Sequence, residues 1–187
     1  MNHQVELRAL VVYESMFGNT ATIARAVTEG LEEGGFAVTI LDVHDVHDVD
    51  SLDPSGFDLL VVGGPTHAFS LSRPATRQDA VRQGAPATAA EGDGLREWIA
   101  TLPPGHDHLL ATFDTRATQV RHLPKAASRS AARLITRRGF ILVSRPTGFL
   151  VTTLQGGLVD GETQRALAWG RSLALETRHR LVPVPTA

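Results

Sequence analysis

Residues 15–20, with the sequence Ser-Met-Phe-Gly-Asn-Thr, carry the clearest chemistry in the chain, because they join an apolar strand to a helical pattern. Backbone N–H groups at such a junction are unpaired and point outward, with the positive end of the helix dipole behind them. Gly18 permits a tight turn, and Ser15, Asn19 and Thr20 add short hydrogen-bonding side chains. The segment contains no cation, so it predicts binding of a phosphate group by neutral donors.

Other phosphate-binding patterns are absent from the sequence. There is no G-x-x-x-x-G-K-[ST] motif, and no G-x-G-x-x-G follows the first apolar run. A phosphoacceptor receiver domain needs acidic residues after its first strand, an Asp closing its third strand and a Lys near its fifth. Here the third strand closes with Gly63-Gly64, and the only lysine, Lys125, lies before the fifth strand.

Residues 15–20 lie within an alternation of predicted strands and helices, which determines where this segment is placed. Five apolar runs predict strands at Leu7–Tyr13, Ala37–Val43, Leu59–Val62, His108–Phe113 and Phe140–Val143, the last with an optional second part at Gly148–Thr152. Helical patterns cover Ile23 to Leu31, Leu95 to Leu102, the segment after Pro124 and residues 161–177. The order predicts an α/β fold with a doubly wound, five-stranded parallel sheet, strand order 2-1-3-4-5, and helices on both faces.

Such a sheet binds its ligand outside the carboxyl ends of the strands, where the strand order reverses. This rule selects the loops after Tyr13, Val62 and Phe113. At 187 residues and 42% hydrophobic content, residues 1–187 are predicted to form a single domain, with a loose tail at about 180–187.

The first segment and its surroundings resemble a known family. Residues 11–20, VVYESMFGNT, followed by IARAV at 23–27, resemble the phosphate-loop signature of the flavodoxin-like superfamily. The form with Ser, Met and an aromatic before Gly is similar to the flavodoxin modules of flavodiiron proteins and to quinone reductases of the tryptophan-repressor-binding-protein type. Many flavodoxins have Thr where this chain has Phe17, which removes one side-chain donor. The resemblance implies flavin mononucleotide (FMN) as cofactor, with its phosphate held by Ser15, Met16, Phe17, Gly18, Asn19 and Thr20.

The resemblance also assigns roles to the other two loops. The Gly-Gly pair at 63–64 lets the backbone approach the flavin ring, and Pro65, Thr66, His67, Ala68 and Phe69 follow it as ring contacts. His67 or Phe69 would stack on the ring; a surface position for His67 and a core position for Phe69 stay open. The loop after the fourth strand offers Asp114, Thr115 and Arg116, with Thr115 or a nearby N–H at the ring's polar edge. This charged pair departs from flavodoxins, which often have Gly or an aromatic there.

Two further segments allow competing interpretations. Residues 67–94 form a long connection in which Ser72-Arg73-Pro74 is able to start a short helix. Arg73 and Arg77 would then face the cofactor and meet nicotinamide-cofactor phosphates, although a solvated loop over the sheet edge is favoured. His44 and His47 alternate with acidic residues, but no rigid spacing supplies a third metal ligand, and an exposed loop is the better interpretation.

Composition limits the function classes. The chain has no cysteine, which excludes disulfides, iron–sulfur clusters and thiol chemistry. No apolar run approaches the roughly 20 residues of a membrane span, and no signal peptide is evident, so a cytoplasmic location is expected. Residues 1–66 hold 11 Asp and Glu against 2 Arg, and residues 67–187 hold 9 against 16 Lys and Arg. The arginines are scattered without an aromatic sheet motif, which argues against nucleic-acid binding.

Three functional hypotheses follow. The first is an FMN protein that carries electrons between redox partner proteins, in which the flavin supplies the chemistry. The second is an FMN-dependent NAD(P)H oxidoreductase acting on quinones or similar small acceptors, which the long connection with Arg73 and Arg77 favours. The third is a non-redox binding module that kept the fold and lost the flavin. No arrangement of side chains indicates hydrolysis or a resident metal.

Overall fold

A computed structural model of the protein describes residues 6–44, 53–66, 70–121, 126–153 and 155–181. The described strands are β1 (Leu7–Tyr13), β2 (Phe36–Asp42), β3 (Leu59–Pro65), β4 (Leu109–Ala117), β5 (Ile141–Leu142) and β6 (Thr147–Val151). The described α-helices are α1 (Asn19–Glu33), α2 (Pro74–Arg82), α3 (Leu95–Thr101), α4 (Ala127–Thr136) and α5 (Glu162–Leu181). None of these helices combines the length and the apolar character that a bilayer crossing demands.

The strands form one sheet in the order β2-β1-β3-β4-β5, with β6 also paired to β4, and every pairing between these strands is parallel. The predicted fold class is therefore confirmed. The fifth position of the sheet is divided between two strands. β5 pairs with the start of β4, at Leu109 and Leu110, and β6 pairs with its end, from Phe113 to Ala117. Residues 143–146 separate the two parts, so the optional second part of the fifth strand exists as a strand of its own.

Alternate side chains of the central strands point to opposite faces, and each face has its own core. On one face, Ala9 and Val11 of β1 pack with helices α1 and α5. On the other face, Leu10 and Val12 pack with α3 and α4. Because the strands are covered on both faces, they are apolar at nearly every position, as a central parallel strand must be.

Helix α1 follows from its apolar stripe and from its stop signal. Ile23, Val27 and Leu31 lie one turn apart and are all fully buried, which fixes the face that packs on the sheet. The helix ends at Gly34, and Gly35 adopts a φ of 80°, a conformation that glycine enters without steric strain. The stripe in the sequence predicted this helix, which begins at Asn19, earlier than the predicted pattern from Ile23.

Helices α1 and α5 approach each other closely through small residues. A Cβ atom added at Gly170 would lie 2.4 Å from the carbonyl oxygen of Val27, and one at Gly30 would lie 2.2 Å from that of Leu167. The Glu33 carboxylate also accepts a hydrogen bond from Arg171, which holds the pKa of that carboxyl below its ordinary value. The close backbone contact fixes α1 against the sheet, and with it the position of residues 15–20.

The long connection after β3 contains more regular structure than the sequence suggests. Helix α2 begins at Pro74, as the Ser-Arg-Pro signal indicates, and a 3-10 helix follows at Ala87–Ala90. This helix is hard to predict from the sequence, because it presents few apolar side chains. Its buried residues are Arg77 and Ala80. The predicted solvated loop is wrong for residues 74–82.

Gly170→Ala tests the contact between α1 and α5. Alanine ordinarily favours a helix over glycine by about 1 kcal/mol, but here its methyl group would collide with backbone atoms of α1. We expect the free energy of unfolding to fall by about 1–3 kcal/mol, measured by urea denaturation. Ser172→Ala, at an exposed position on the same helix, should change it by less than about 0.5 kcal/mol. An unchanged or higher stability of the Gly170 variant would contradict this packing.

Candidate functional site

The parallel register brings three predicted loops to one edge of the sheet. Tyr13 pairs with Gly63, and Gly63 pairs with Phe113, so the chain segments that follow them emerge side by side. A cleft opens between these segments. Among the residues predicted from the sequence, it brings together Met16, Phe17, Asn19, Thr20, Pro65, Thr66, Thr115 and Arg116. Ala117 and Val151 complete its described wall; both are ordinary apolar strand residues, and nothing in the sequence marks them as site residues.

The start of α1 leaves unpaired donors at the cleft. Gly18 takes a φ of 84° as the N-cap, and the first helical hydrogen bond runs from the Thr22 N–H to the Gly18 carbonyl, at 3.0 Å. The N–H groups of Asn19 and Thr20 therefore precede the helical ladder and have no acceptor within the described residues. Two adjacent donors at the positive end of a 15-residue helix form an anion-binding arrangement.

Ser15 and Asn19 support this helix start. The Ser15 hydroxyl oxygen accepts a hydrogen bond from the Ala21 N–H at 3.2 Å, which leaves its own O–H available as a donor. The Asn19 side-chain amide donates to the Gly156 carbonyl at 2.7 Å and so ties the segment to the loop after β6. One of the two Asn19 amide N–H groups is therefore used inside the protein, in a contact with a residue too far along the chain for a local pattern to predict.

Two threonine hydroxyls meet at the floor of the cleft. Thr20 Oγ1 lies 2.8 Å from Thr115 Oγ1, and both residues are buried. The Thr66 N–H donates to the Thr115 carbonyl at 2.8 Å, and the Thr66 hydroxyl accepts from the Ala127 N–H at 3.0 Å. The side chain of Thr115 thus faces the first turn of α1, whereas the sequence-based assignment placed it at the polar edge of a flavin ring.

Asp114 is fully buried and is not among the residues that line the cleft. Its carboxylate accepts two hydrogen bonds from the Arg116 guanidinium, each at 2.6 Å, and further bonds from the N–H and hydroxyl of Ser128 at the start of α4. A Cβ atom at Gly148 would touch the Arg116 guanidinium at 2.4 Å, so the arginine lies flat over β6. The pair of Asp114 and Arg116, which departs from the flavodoxin pattern, therefore joins β4, β6 and α4. Asp114 holds these elements together without lining the cleft itself.

Met16 and Phe17 connect the first segment to the long connection. Met16 is buried against Ala80, Ala85 and Ala89, and the half-buried Phe17 packs on the same group. Helix α2 and the 3-10 helix after it therefore cover the outer side of residues 15–20. This packing explains the aromatic at position 17, because a threonine would lack the contact that the Phe17 ring makes with this group.

The Arg77 guanidinium does not face the cleft. It is 2% exposed and donates to the Glu97 carboxylate at 3.0 Å and to the Gly92 carbonyl at 3.3 Å. A buried cation requires such a partner, and Glu97 on α3 supplies it. The predicted role of Arg77 toward nicotinamide-cofactor phosphates is wrong, while Arg73, one residue before α2, is exposed.

Glu14 is a buried residue that the sequence analysis missed. It directly follows β1, is fully buried, and its Oε2 accepts from the Ser72 hydroxyl at 2.8 Å and from the Leu95 N–H at 3.0 Å. This carboxylate therefore ties the end of β1 to the segment before α2 and to the first residue of α3. Its position next to the strand was the available signal, because a charge that close to a covered strand must be paired or exposed.

The His44 side chain is only 7% exposed, which corrects the expectation of an exposed loop at this position. Its Nε2 lies 3.9 Å from Glu14 Oε1, beyond hydrogen-bond distance. His47 and its acidic neighbours fall outside the described residues. Across the part of the chain that the structure describes, no group of three or more His, Asp or Glu side chains is arranged to hold a metal ion.

Gly63 and Gly64 lie inside β3, near its carboxyl end, where they allow close packing of core side chains. A Cβ atom at Gly63 would lie 2.0 Å from the Phe113 ring, and one at Gly64 would lie 2.9 Å from a Leu95 methyl group. The glycines therefore make room for core side chains of β4 and α3, and not for a ligand as the sequence suggested. His67, Ala68 and Phe69 lie outside the described residues, so their roles as ring contacts stay predictions.

Comparison with known proteins agrees with this architecture. The sequence model of the flavodoxin family matches residues 11–76, about a third of the chain. A flavodoxin from the domain Archaea superposes with a TM-score of 0.63 at 20% identity, over 92% of this chain and 100% of that one. The Flv1 flavodiiron core from Synechocystis gives 0.64 at 16%, over 95% of this chain and 37% of its own length. A WrbA-like flavodoxin from Agrobacterium tumefaciens gives 0.57 at 18%, over 93% and 99%.

No curated protein sequence matches the chain. At identities of 20% or less, the structural likenesses establish the fold. The chain therefore has a flavodoxin-like fold, the family model matches the segment that contains residues 15–20, and the resemblance drawn from residues 11–27 is confirmed.

Asp114→Ala tests whether the buried pair supports the site. Removing the carboxylate leaves the Arg116 guanidinium, whose side chain is 10% exposed, without its partner. We expect the free energy of unfolding to fall by about 3 kcal/mol in urea denaturation. The exposed pair between Asp79 and Arg82 is the matched control, and Asp79→Ala should change stability by less than about 1 kcal/mol. Equal effects of the two substitutions would show that burial gives the Asp114 pair no special weight.

Proposed function

We propose that this protein binds FMN in the cleft at residues 15–20 and carries electrons between redox partner proteins. One observation carries the proposal: the unpaired N–H groups of Asn19 and Thr20 lie at the helix start, and that helix start opens into the same cleft as Thr66 and Thr115. A bound flavin supplies the redox chemistry, accepting and releasing electrons, and the protein supplies binding and tuning.

The cleft residues fit the two chemically different ends of FMN. The phosphate group offers several acceptor oxygens, and the start of α1 offers backbone donors together with the O–H groups of Ser15 and Thr20. Met16, Ala117 and Val151 add apolar wall to the same cleft, which suits the flat aromatic part of the molecule. None of these contacts needs a lysine or an arginine to neutralise the phosphate.

Charge at the site favours a carrier over an oxidoreductase with its own nicotinamide site. Arg77 is committed to Glu97, and Arg116 is committed to Asp114, so neither guanidinium is available to bind a second phosphate group. Positions 1–66 hold 11 acidic residues against 2 arginines, which would give an acidic surface where these side chains are exposed. Such a surface steers association with a basic partner protein.

The double variant Ser15→Ala, Thr20→Val tests the phosphate contacts. Each substitution removes a hydroxyl donor at the helix start, and a hydrogen bond to a charged group contributes about 1.5–3 kcal/mol. We expect the Kd for FMN, measured by quenching of flavin fluorescence, to rise at least tenfold. Thr28→Val is the control, because its buried hydroxyl lies two turns further along α1 and has no hydrogen-bond partner in the described structure.

The wild-type protein should show the visible absorption bands of a bound flavin after FMN is added. Unchanged FMN affinity in the double variant would contradict the phosphate assignment. A protein that takes up no FMN at micromolar concentration would contradict the whole proposal and favour a non-redox binding module.

A turnover assay separates the carrier from the enzyme. We expect the FMN-loaded protein to be reduced slowly by NADPH alone and to reduce a quinone at less than about 1 s⁻¹, below the range typical of enzymes. Adding a basic flavoprotein reductase should accelerate its reduction, and raising the ionic strength should weaken that effect. Rapid NADPH-dependent quinone reduction by the protein alone would favour the oxidoreductase.

A further inference from the structure

The floor of the cleft holds a pair of hydroxyls in which one of the two protons has no acceptor among the described groups. Thr20 Oγ1 and Thr115 Oγ1 lie 2.8 Å apart, and their residues are 2% and 5% exposed. Each hydroxyl has one proton, and a single proton is enough to make the bond between the two oxygens. The second proton has no other acceptor among the described side chains and backbone groups, and both residues line the cleft.

An anion in the cleft determines which way this pair points. A phosphate group at neutral pH offers mainly acceptor oxygens, so a hydroxyl that binds it must donate its proton. Thr20 is the second residue of α1 and lies beside the unpaired N–H groups of the first turn, where a phosphate oxygen is favoured. The arrangement that satisfies every group has Thr115 donating to Thr20 and Thr20 donating to the ligand.

In this relay of two hydrogen bonds, from Thr115 to Thr20 and from Thr20 to the ligand, the backbone of Thr115 is firmly held. It lies within β4, paired with Pro65 of β3 on one side and with Phe149 of β6 on the other. Its carbonyl accepts the Thr66 N–H at 2.8 Å. A hydroxyl on a strand that is paired on both sides is more rigidly positioned than one on a loop.

We propose that Thr115 is a positioning residue, which acts through Thr20 to make the site selective for a phosphorylated flavin over an unphosphorylated one. The inference rests on the proposed function, because it concerns the phosphate end of the same cleft. It assigns Thr115 to the phosphate, 95 residues away from the helix start in sequence, and not to the flavin ring.

The experiment compares FMN with riboflavin, which has the same ring and ribityl chain but no phosphate. Thr115→Val keeps the branched shape and removes the hydroxyl. We expect its Kd for FMN to rise about tenfold and its Kd for riboflavin to change by less than about threefold. In a Thr20→Val background, the same substitution should have less than a twofold effect on FMN binding, because the relay is already broken.

Two variants serve as controls for folding and for the hydroxyl itself. Thr112→Val lies on the same strand, at a buried hydroxyl without a hydrogen-bond partner in the described structure, and should leave both affinities unchanged. Thr115→Ser restores the hydroxyl and should bring FMN affinity back to within about threefold of wild type. Thermal unfolding of each variant checks that the fold is retained.

The outcomes separate this inference from the proposed function. Equal losses for FMN and riboflavin in Thr115→Val would overturn the positioning role and place Thr115 at the ring or in general packing. Additive losses in the double variant would also overturn it, because they would show that Thr115 does not act through Thr20. A wild-type protein that binds neither flavin contradicts the proposed function itself, and this inference with it.

Discussion

The candidate site depends on the register of three parallel strands. Tyr13 lies beside Gly63, and Gly63 lies beside Phe113, so the carboxyl ends of β1, β3 and β4 lie at the same edge of the sheet, although β3 continues to Pro65 and β4 to Ala117. A shift of one residue in any of these strands would exchange its two faces and separate Thr20 from Thr115. The two cores, one on each face of the sheet, oppose such a shift because every strand is apolar on both sides.

Two buried carboxylates, those of Glu14 and Asp114, also hold the elements around the site in place. Glu14 fixes the end of β1 to α3, and Asp114 fixes the end of β4 to α4, each by accepting hydrogen bonds from the first turn of the helix. A buried carboxylate is stable only with several donors, so each one selects a single arrangement of the elements around it. The segments that line the cleft are therefore positioned by carboxylates that do not line it themselves.

The sequence was sufficient to predict the main strands and helices and the junction at residues 15–20, because these follow from local patterns. Apolar runs, the stripe through Ile23 and Val27, and the glycines at 34–35 specify strands and a helix without reference to the rest of the chain. The roles of Asp114 and Arg77 were not predictable in the same way. Each depends on a partner far along the chain or on another element, Ser128 or Glu97, and no local rule states which charge will meet which.

Pairing of the buried charges also accounts for the lack of free cations in the proposed anion site. Arg77 and Arg116 are already paired with the carboxylates of Glu97 and Asp114, since an unpaired guanidinium inside the protein would be unstable. Backbone N–H groups carry no net charge and need no such partner, so they are able to lie at the floor of a cleft between covered strands. In the proposed site, selectivity for a phosphate group would depend on how the neutral donors are oriented, and a hydroxyl held by a paired strand would supply that orientation.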